Sequence, residues 1–281
     1  MVLKSHAKIN LSLSVNKKLA NGLHEIQSFF CLISLFDSIS IQKRRDKKKV
    51  DKILFKGPFA KNVKNDNNSI KRVLSFLRKN QLISDFYNIK INKKIPVFAG
   101  LGGGTSNAAV ILKFLMGKKI KKDIFERIVS HVGSDLRLFI QNQGFLKNLK
   151  TVVTNPYKHQ FYFLLVYPHI KSSTKTVYLN VKGFSKKRQI KKSQTFKEKN
   201  LFIETLIEQK NDLQLIVEKK HPIIKEIIDS IGKKKGCYLS RMTGSGTTCF
   251  GLFKNKSYLK AALKSLRTKY PKFWFSTAKT I

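Results

Sequence analysis

The sequence predicts an α+β fold in two domains, residues 1–153 and 154–281. Three observations support this prediction. In the first half, stretches of alternating apolar and polar side chains predict strands. One further stretch there repeats its apolar side chains with the period of a helix. In the second half, the order of predicted helices and strands suits an antiparallel sheet with helices on one side. With 281 residues and 42% apolar side chains, each half can bury a core.

The first half is predicted to be rich in strands. Apolar and polar side chains alternate over residues 9–15, and residues 29–42 form a longer, more apolar run. Strands at residues 53–55 and 86–96 follow. Between these two, a helix places four apolar side chains on one face: Ile70, Val73, Leu74 and Leu77.

The end of the first half is predicted to be helical. Residues 106–116, directly after a run of glycines, suit a buried helix capped by Thr105 or Ser106. A second helix at residues 121–132 precedes the stretch "GSDLRLFI". The polar, proline-containing stretch 152–157 marks the predicted domain boundary.

The second half is predicted to be an α+β domain. It begins with the apolar strand "FYFLLVYP", and the basic stretch 182–199 has little periodicity, which predicts an exposed loop. The remaining predicted elements are helices at 201–208, 212–220, 222–231 and 257–270, and strands at 237–242, 248–253 and 272–278.

The chain is strongly basic. Its 57 Lys and Arg residues against 16 Asp and Glu give a net charge of +41. A nucleic-acid-binding protein is one interpretation, because basic surfaces bind phosphates. The lysines are spread over the whole chain, however, which favours a general compositional bias over a dedicated nucleic-acid site. Such a field would also attract a polyphosphate substrate.

Membrane and metal functions are not predicted. No stretch has the ~18 consecutive apolar residues of a transmembrane helix, and the start of the chain lacks the apolar block of a signal peptide, so we expect a cytoplasmic protein with no membrane partner. Cys31, Cys237 and Cys249 are far apart in sequence, so we expect reduced, structural cysteines and no metal cluster.

The stretch "PVFAGLGGGTSNAA" at residues 96–109 has the composition of a phosphate-binding loop. Glycines let backbone N–H groups approach an anion closely, and the helix that follows adds the positive end of its dipole. The spacing fits neither GxxxxGK[ST] nor GxGxxG, so two common nucleotide-binding loops are excluded. A tight turn with close helix packing is the alternative.

Three motifs together carry a resemblance to a known family. The stretch "PVFAGLGGGTSNAA" is similar to the P-x-x-x-G-L-G-G-G-S-S-N-A-A signature of the GHMP kinases, and "AKINLSLSV" and "RMTGSGTTCFGLF" match two more family motifs in the right order. The resemblance implies an N-terminal domain with the ribosomal S5 domain 2-like fold and a ferredoxin-like C-terminal domain.

The resemblance also implies an activity. "NGLHEIQSFF", "GSDLRLFI" and "NDLQLIVEKKHP" are similar to one branch of the family, which uses ATP with Mg²⁺ to phosphorylate the 2-hydroxyl of CDP-methylerythritol in the non-mevalonate isoprenoid pathway. One alternative is another small-molecule kinase of the family, of the homoserine or mevalonate type. The other is a basic nucleic-acid-binding protein with an S5-like domain.

Two catalytic residues follow from the resemblance. Asp135 aligns with the family's catalytic carboxylate, which takes the proton of the attacking hydroxyl. Lys8 is expected beside it, where an ammonium keeps the carboxylate ionised and helps to neutralise the γ-phosphate. A solvated lysine at the start of a strand is the alternative for Lys8.

The resemblance assigns the binding residues as well. The residues expected to bind ATP are Asn68, Pro96, Ala99, Gly100, Leu101, Gly102, Gly103, Gly104, Thr105 and Ser106. The residues expected to bind the phosphate acceptor are Asn10, His24, Phe184, Gly244, Ser245 and Gly246. No residue is assigned to a metal. Turn or cap roles are the alternatives for Asn10, His24 and Asn68.

The chain departs from the family pattern at two positions. Leu23 stands where the family has a tyrosine that stacks on cytosine, so one face of the base loses its aromatic partner, and Phe184 is expected to supply the other face. Arg137 stands where the family has a proline, two residues after Asp135.

Overall fold

The computed structural model describes residues 2–46, 49–63, 68–117, 120–157, 159–189 and 196–281. Within these residues the strands are β1 Val2–Asn10, β2 Ser14–Lys18, β3 His24–Lys43, β4 Lys52–Lys56, β5 Tyr87–Asn92, β6 Gln143–Asn148, β7 Thr151–Thr154, β8 Tyr162–Tyr167, β9 Cys237–Met242, β10 Cys249–Phe253 and β11 Trp274–Lys279. The α-helices are α1 Ser69–Lys79, α2 Gly103–Met116, α3 Lys122–Val132, α4 Thr174–Leu179, α5 Lys199–Ile207, α6 Gln214–Lys220, α7 Ile223–Gly232 and α8 Lys256–Lys269.

The chain packs into two compact units that interleave along the sequence. The first unit contains Met1–Ala7, Leu35–Val97 and Gly102–Ile140, and the second contains Lys8–Ser34, Phe98–Leu101 and Gln141–Ile281. Strands β1 and β3 each contribute residues to both units. Each unit therefore consists of several separate stretches of the chain. The predicted domain division after residue 153 stays a prediction.

The first unit is a small sheet covered by helices. β4 and β5 are parallel and joined through α1, and β5 pairs antiparallel with the second half of β3. Apolar side chains of the sheet, such as Ile39 and Ile89, share a cluster with Ile70 of α1 and Ile111 of α2. The predicted apolar face of α1 is confirmed, since the helix buries Ile70, Val73, Leu74 and Leu77.

The second unit contains an antiparallel sheet in the order β11-β8-β10-β9. Helices α7 and α8 contact this sheet and each other, so they share one of its faces. The predicted α+β arrangement of this half is confirmed. In the same unit, the first half of β3 pairs with β2 and β6, and β6 pairs with β7.

The sequence interpretation was wrong about several elements. The strand predicted at 9–15 is divided, since β1 ends at Asn10 and β2 begins at Ser14. The stretch 152–157 was expected to be without regular structure but includes most of β7, which follows β6, while the domain boundary itself stays a prediction. Helix α2 begins earlier than predicted: Gly102 caps it with a φ of 67°, so neither Thr105 nor Ser106 is its cap. Glycine adopts this left-handed conformation without steric cost, which a hydroxyl-based prediction overlooks.

The basic stretch 182–199 is described only in part. Residues 182–189 have no regular structure and are mostly exposed, as predicted. Residues 190–195 lie outside the described residues. The prediction is wrong for Phe196, which is buried, and for Lys199, where α5 begins.

The three cysteines are free thiols. Cys31 and Cys249 are buried, and their burial raises the pKa of both thiols. Burial also raises the pKa of Cys237, to about 11. Among the residues described, no three His, Cys, Asp or Glu side chains form a group that could hold a metal ion. Within the same ranges, none of the helices combines the length and the apolar character that crossing a bilayer requires.

Candidate active site

The glycine stretch ends in the start of α2, which belongs to the first unit. Gly103 is packed tightly, because a Cβ on it would lie 2.9 Å from Cγ2 of Ile95. Gly104 is exposed, and a Cβ on it would meet nothing within 4 Å. Protein packing therefore explains the glycine at 103 but not the one at 104. An open position in the first turn of a helix is where an anion can approach backbone N–H groups.

A buried polar network lies behind this helix start. Lys93 forms an ion pair with Asp37, and both side chains are almost completely buried. Asn107 donates to Oδ2 of Asp37 over 3.0 Å and to Oγ of Ser5 over 2.8 Å. Ser5 in turn donates to Oγ of Ser106 over 2.8 Å. The hydroxyl of Ser106, predicted to bind ATP, thus lies inside the protein and orders the helix start.

The ion pair is asymmetric in its hydrogen bonds. Oδ1 of Asp37 accepts the backbone N–H groups of Lys94 and Ile95 over 2.7 and 2.9 Å. Burial lowers the pKa of Lys93, and the charge of Asp37 opposes that shift. The network therefore ties β3, the end of β5 and α2 together beneath the glycine stretch.

Asp135 also lies in the first unit. It is half-buried in a 3₁₀ segment, Ser134–Ile140, that follows α3 through Gly133. Gly133 has a φ of 140°, which other residues rarely adopt. Asn68 caps α1, since its Oδ1 accepts the N–H groups of Ile70 and Lys71 over 3.1 Å each. Asn68 is thus a helix cap, which was the alternative to an ATP-binding role. Its contact with ATP stays a prediction.

Lys8 lies in the second unit and is 4% exposed. Its ammonium donates to Oδ1 of Asn10 and, over 3.3 Å, to the carbonyl of Gly100. Asn10 is buried as well, and its amide donates to Oγ of Ser28 over 2.8 Å. The alternative of a solvated lysine is therefore wrong for Lys8.

The second glycine motif packs directly against Lys8 and Asn10. Gly244 has a φ of 58°, and a Cβ on it would lie 3.2 Å from Oδ1 of Asn10 and 3.3 Å from Nζ of Lys8. A Cβ on Gly100 would lie 2.2 Å from the carbonyl oxygen of Thr243. At Gly100 the two backbones thus approach more closely than any side chain would permit, and at Gly244 a side chain would press against Asn10 and Lys8.

Hydrogen bonds fix this second glycine loop. The amide of Asn211, in the "NDL" motif, donates to the carbonyls of Met242 and Gly244 over 2.8 Å each. The carbonyl of Ser245 accepts from Oγ of Ser172 over 2.8 Å. The loop is held from two directions, so its backbone is ordered before any ligand arrives.

An aromatic cluster surrounds His24 in the second unit. Its ring centroid lies 5.2 Å from that of Tyr178 and 6.3 Å from that of Phe184. Burial and the nearby charge of Lys18 lower the pKa of His24, so the ring is mostly neutral at pH 7. The structure thus brings together His24 and Phe184, both expected to bind the acceptor, and adds Tyr178, which the sequence interpretation did not name.

Tyr178 was missed because α4 has only six residues and little periodicity. The available signal was Ser173, whose Oγ accepts the N–H of Thr176 and caps this helix. Leu23, in contrast, is 52% exposed and has no ring to stack on a base.

Other predicted residues have mainly backbone roles. The carbonyl of Ala99 accepts the N–H of Thr248 over 3.2 Å, and that of Leu101 accepts the N–H of Lys8 over 3.0 Å. Pro96 is buried, and Thr105 is half-buried beside Gly104. Lys8 belongs to the second unit and Asp135 to the first, so their meeting at one reacting atom stays a prediction.

Comparisons with known proteins place this chain in a family. The sequence models "GHMP kinases N terminal domain" and "GHMP kinases C terminal" match residues 68–137 and 198–272. The 4-diphosphocytidyl-2-C-methyl-D-erythritol kinase of Pelagibacter ubique is 34% identical, with 99% of this chain and 98% of the relative covered. The chain belongs to the GHMP kinase family.

Solved structures of the GHMP kinase family share the fold. A 4-(cytidine 5'-diphospho)-2C-methyl-D-erythritol kinase matches with a TM-score of 0.75 and 22% identity over 99% of both chains. A homoserine kinase from Cytophaga hutchinsonii matches with a TM-score of 0.70 and 16% identity, covering 100% of this chain and 93% of its own. The two-domain fold of the family is confirmed, and because kinases with different acceptors share it, the fold alone does not select the acceptor.

Proposed function

We propose that this GHMP kinase transfers the γ-phosphoryl group of ATP to the 2-hydroxyl of 4-diphosphocytidyl-2-C-methyl-D-erythritol, in the non-mevalonate route to isoprenoid precursors. The observation that carries the proposal is the full-length similarity, at 34% identity, to a relative with that activity in its name. The cluster of His24, Tyr178 and Phe184 supports it, because a neutral imidazole close to two aromatic rings suits a cytosine.

The start of α2 fits the phosphates of ATP. Gly104 leaves open space beside the first turn of α2, and the helix N-terminus favours negative charge there. Mg²⁺ usually binds through one or two protein oxygens plus the phosphates, so it needs no cluster of three carboxylates. The hydroxyl of Thr105, half-buried at the start of α2, would be its protein oxygen ligand. Bound with ATP, the ion shields phosphate charge.

In this mechanism the protein positions groups and stabilises charge. The carboxylate of Asp135 accepts the proton of the 2-hydroxyl as that oxygen attacks the γ-phosphorus. The ammonium of Lys8, oriented by Asn10 and Gly100, favours the ionised carboxylate and stabilises charge on the transferred group. The second glycine loop, residues 244–246, provides ordered backbone for the diphosphate of the acceptor.

The cytosine is assigned to the His24 cluster. Tyr178 and Phe184, whose rings both lie near His24, would supply the aromatic stacking that Leu23 cannot provide. The neutral ring of His24 has one donor and one acceptor nitrogen and can therefore hydrogen-bond the edge of the base. These contacts would favour binding of a cytidine-linked alcohol over homoserine and mevalonate, which carry no base.

A coupled ADP-release assay tests the acceptor. We expect turnover with 4-diphosphocytidyl-2-C-methyl-D-erythritol and little with homoserine or mevalonate at equal concentration. Faster turnover with homoserine or mevalonate would reject the assignment and favour the alternative, a small-molecule kinase of the homoserine or mevalonate type. The similarity at full length disfavours that alternative, and it disfavours a nucleic-acid-binding function as well.

Replacing the proposed base tests the mechanism. Asp135→Asn keeps the size of the side chain but removes the proton acceptor, so we expect kcat to fall by about 100-fold or more. Binding of a non-hydrolysable ATP analogue should change little, because Asp135 is not part of the glycine loop. Turnover close to that of the wild type would remove Asp135 from the role of base.

A further inference from the structure

Arg137 departs from the family pattern and lies in the segment that carries Asp135. It is only 7% exposed, and the 3₁₀ segment Ser134–Ile140 also buries its neighbours Leu136 and Leu138. A 3₁₀ helix has about three residues per turn, so these three side chains point in three different directions. The segment is thus enclosed by protein on several sides, while Asp135 stays half-buried.

Arg137 forms a two-pronged contact with α3. Its Nη1 donates to Oε1 of Glu126 over 3.0 Å, and its Nη2 donates to Oε2 over 3.0 Å. Parallel hydrogen bonds between a guanidinium and a carboxylate fix orientation as well as distance. Apolar contacts of leucines do not have this directional character.

The connection between α3 and the segment restrains this orientation only through backbone hydrogen bonds. The N–H of Gly133 donates to the carbonyl of Val129 over 2.8 Å, and its carbonyl accepts the N–H of Leu136 over 3.1 Å. Helix α3 and the segment are joined by Gly133, where a Cβ would meet nothing within 4 Å. Glycine at such an open position leaves the backbone many conformations. No side chain at Gly133 helps to fix the rotation of the segment, so side-chain contacts made beyond Gly133 contribute to that rotation and to the direction of Asp135.

We propose that the contact between Arg137 and Glu126 positions Asp135 for proton transfer. Arg137 and Glu126 are positioning residues, because they act through Asp135 and not on the substrate. The inference rests on the proposed function of Asp135 as the base. Glu126 has a second effect, since it neutralises a buried cation two residues from that base.

Variants at the pair test the proposal. We expect Glu126→Gln and Arg137→Gln each to lower kcat by about 10- to 100-fold, because small displacements of a reacting group have effects of this size. The KM for ATP should stay within about twofold, since the ATP site is not altered. Arg137→Lys should resemble Arg137→Gln more than the wild type, because an ammonium lacks the planar geometry for two parallel bonds.

A matched control exists in the same unit. Arg78 of α1 donates to both carboxylate oxygens of Asp51 over 2.9 and 3.1 Å, and neither residue belongs to the site. Arg78→Gln should lower the melting temperature but leave kcat unchanged. If Glu126→Gln and Arg137→Gln behaved like this control, or failed to fold, the pair would support the fold only and the proposal would be overturned.

A double-mutant cycle separates positioning from general damage. If the pair acts through Asp135, Glu126→Gln should cause no further loss of kcat in an Asp135→Asn background. Equal losses in both backgrounds would overturn the proposal. Failure of the proposed function is distinguishable, because it would appear in the wild type as turnover of a different alcohol, and in Asp135→Asn as unchanged turnover.

Discussion

Gly103 and Gly104 are neighbours at the start of α2, yet they lack a side chain for different reasons. Gly103 has no room for a Cβ because Ile95 lies against it, whereas Gly104 faces open space. The first glycine serves packing. For the second, the empty position itself is what a bound phosphate would use.

Gly104→Ala separates stability from ATP binding. We expect the free energy of unfolding to stay equal or rise by up to about 1 kcal/mol, because alanine is the better helix former. The KM for ATP should rise several-fold, because the new methyl group enters the phosphate site. Thermal melting and initial-rate kinetics measure the two effects.

Gly103→Ala is the control for this substitution. Its methyl group would meet Ile95, so we expect a lower melting temperature. A Gly104→Ala protein with lower stability and unchanged KM for ATP would contradict the assignment of Gly104 to the phosphate site.

Tyr178→Ala tests the cytosine site. Loss of one stacked ring is worth about 1 kcal/mol, or roughly a fivefold rise in the KM for the cytidine substrate. The KM for ATP should not change. Tyr178→Phe keeps the ring and should keep the wild-type KM, whereas a fivefold rise in that variant would assign the effect to the hydroxyl group.

At the scale of elements, the buried network of Asp37, Lys93 and Asn107 joins β3 and the end of β5 to helix α2. Removing one partner of a buried ion pair typically costs about 3–5 kcal/mol. We expect Asp37→Ala to lower the free energy of unfolding by that amount in chemical unfolding at pH 7, because Lys93 loses its counterion and two backbone N–H groups lose their acceptor.

Lys93→Met is the matched comparison. It leaves Asp37 with the N–H groups of Lys94 and Ile95 and the amide of Asn107, so its loss of stability should be smaller than that of Asp37→Ala. The opposite order would mean that the ammonium, and not the carboxylate, organises the network.

The elements differ in how well the sequence predicts them. Helix α1 is predictable because its apolar face repeats with the helical period over eleven residues. The start of α2 is not, since its cap is a glycine in a left-handed conformation. The pair β6 and β7 has too few alternating residues to be recognised. Gly144 has a structural reason there, because a Cβ on it would lie 2.6 Å from the carbonyl oxygen of Val153 in the paired strand.

At the scale of the whole molecule, the net charge of +41 bears on encounter with anions. We expect the KM values for both phosphorylated substrates to rise with NaCl between about 0.05 and 0.3 M, with kcat nearly constant, because salt screens long-range attraction. Titration with a generic RNA in the same buffers is the comparison. Tight RNA binding at the higher salt would favour a second, nucleic-acid function.

The site is predictable from the sequence to the extent that short motifs carry it. The motifs around Lys8, Gly104, Asp135 and Gly244 locate the candidate residues. They do not give the buried position of Ser106, the contact between Arg137 and Glu126, or the ring of Tyr178. Those features depend on contacts between residues distant in sequence, which no local pattern contains.

The interleaving of the two units has a consequence for biosynthesis. Residues 8–34 belong to the second unit, and there Leu13 exchanges backbone hydrogen bonds with Lys210 and Asp212, while Leu32 accepts one from Ile281. During translation, residues 8–34 are synthesised well before Lys210, Asp212 and Ile281. The strands synthesised first therefore leave apolar surface exposed until the final third of the chain has been synthesised. Binding of chaperones to the nascent chain should be greatest during that interval.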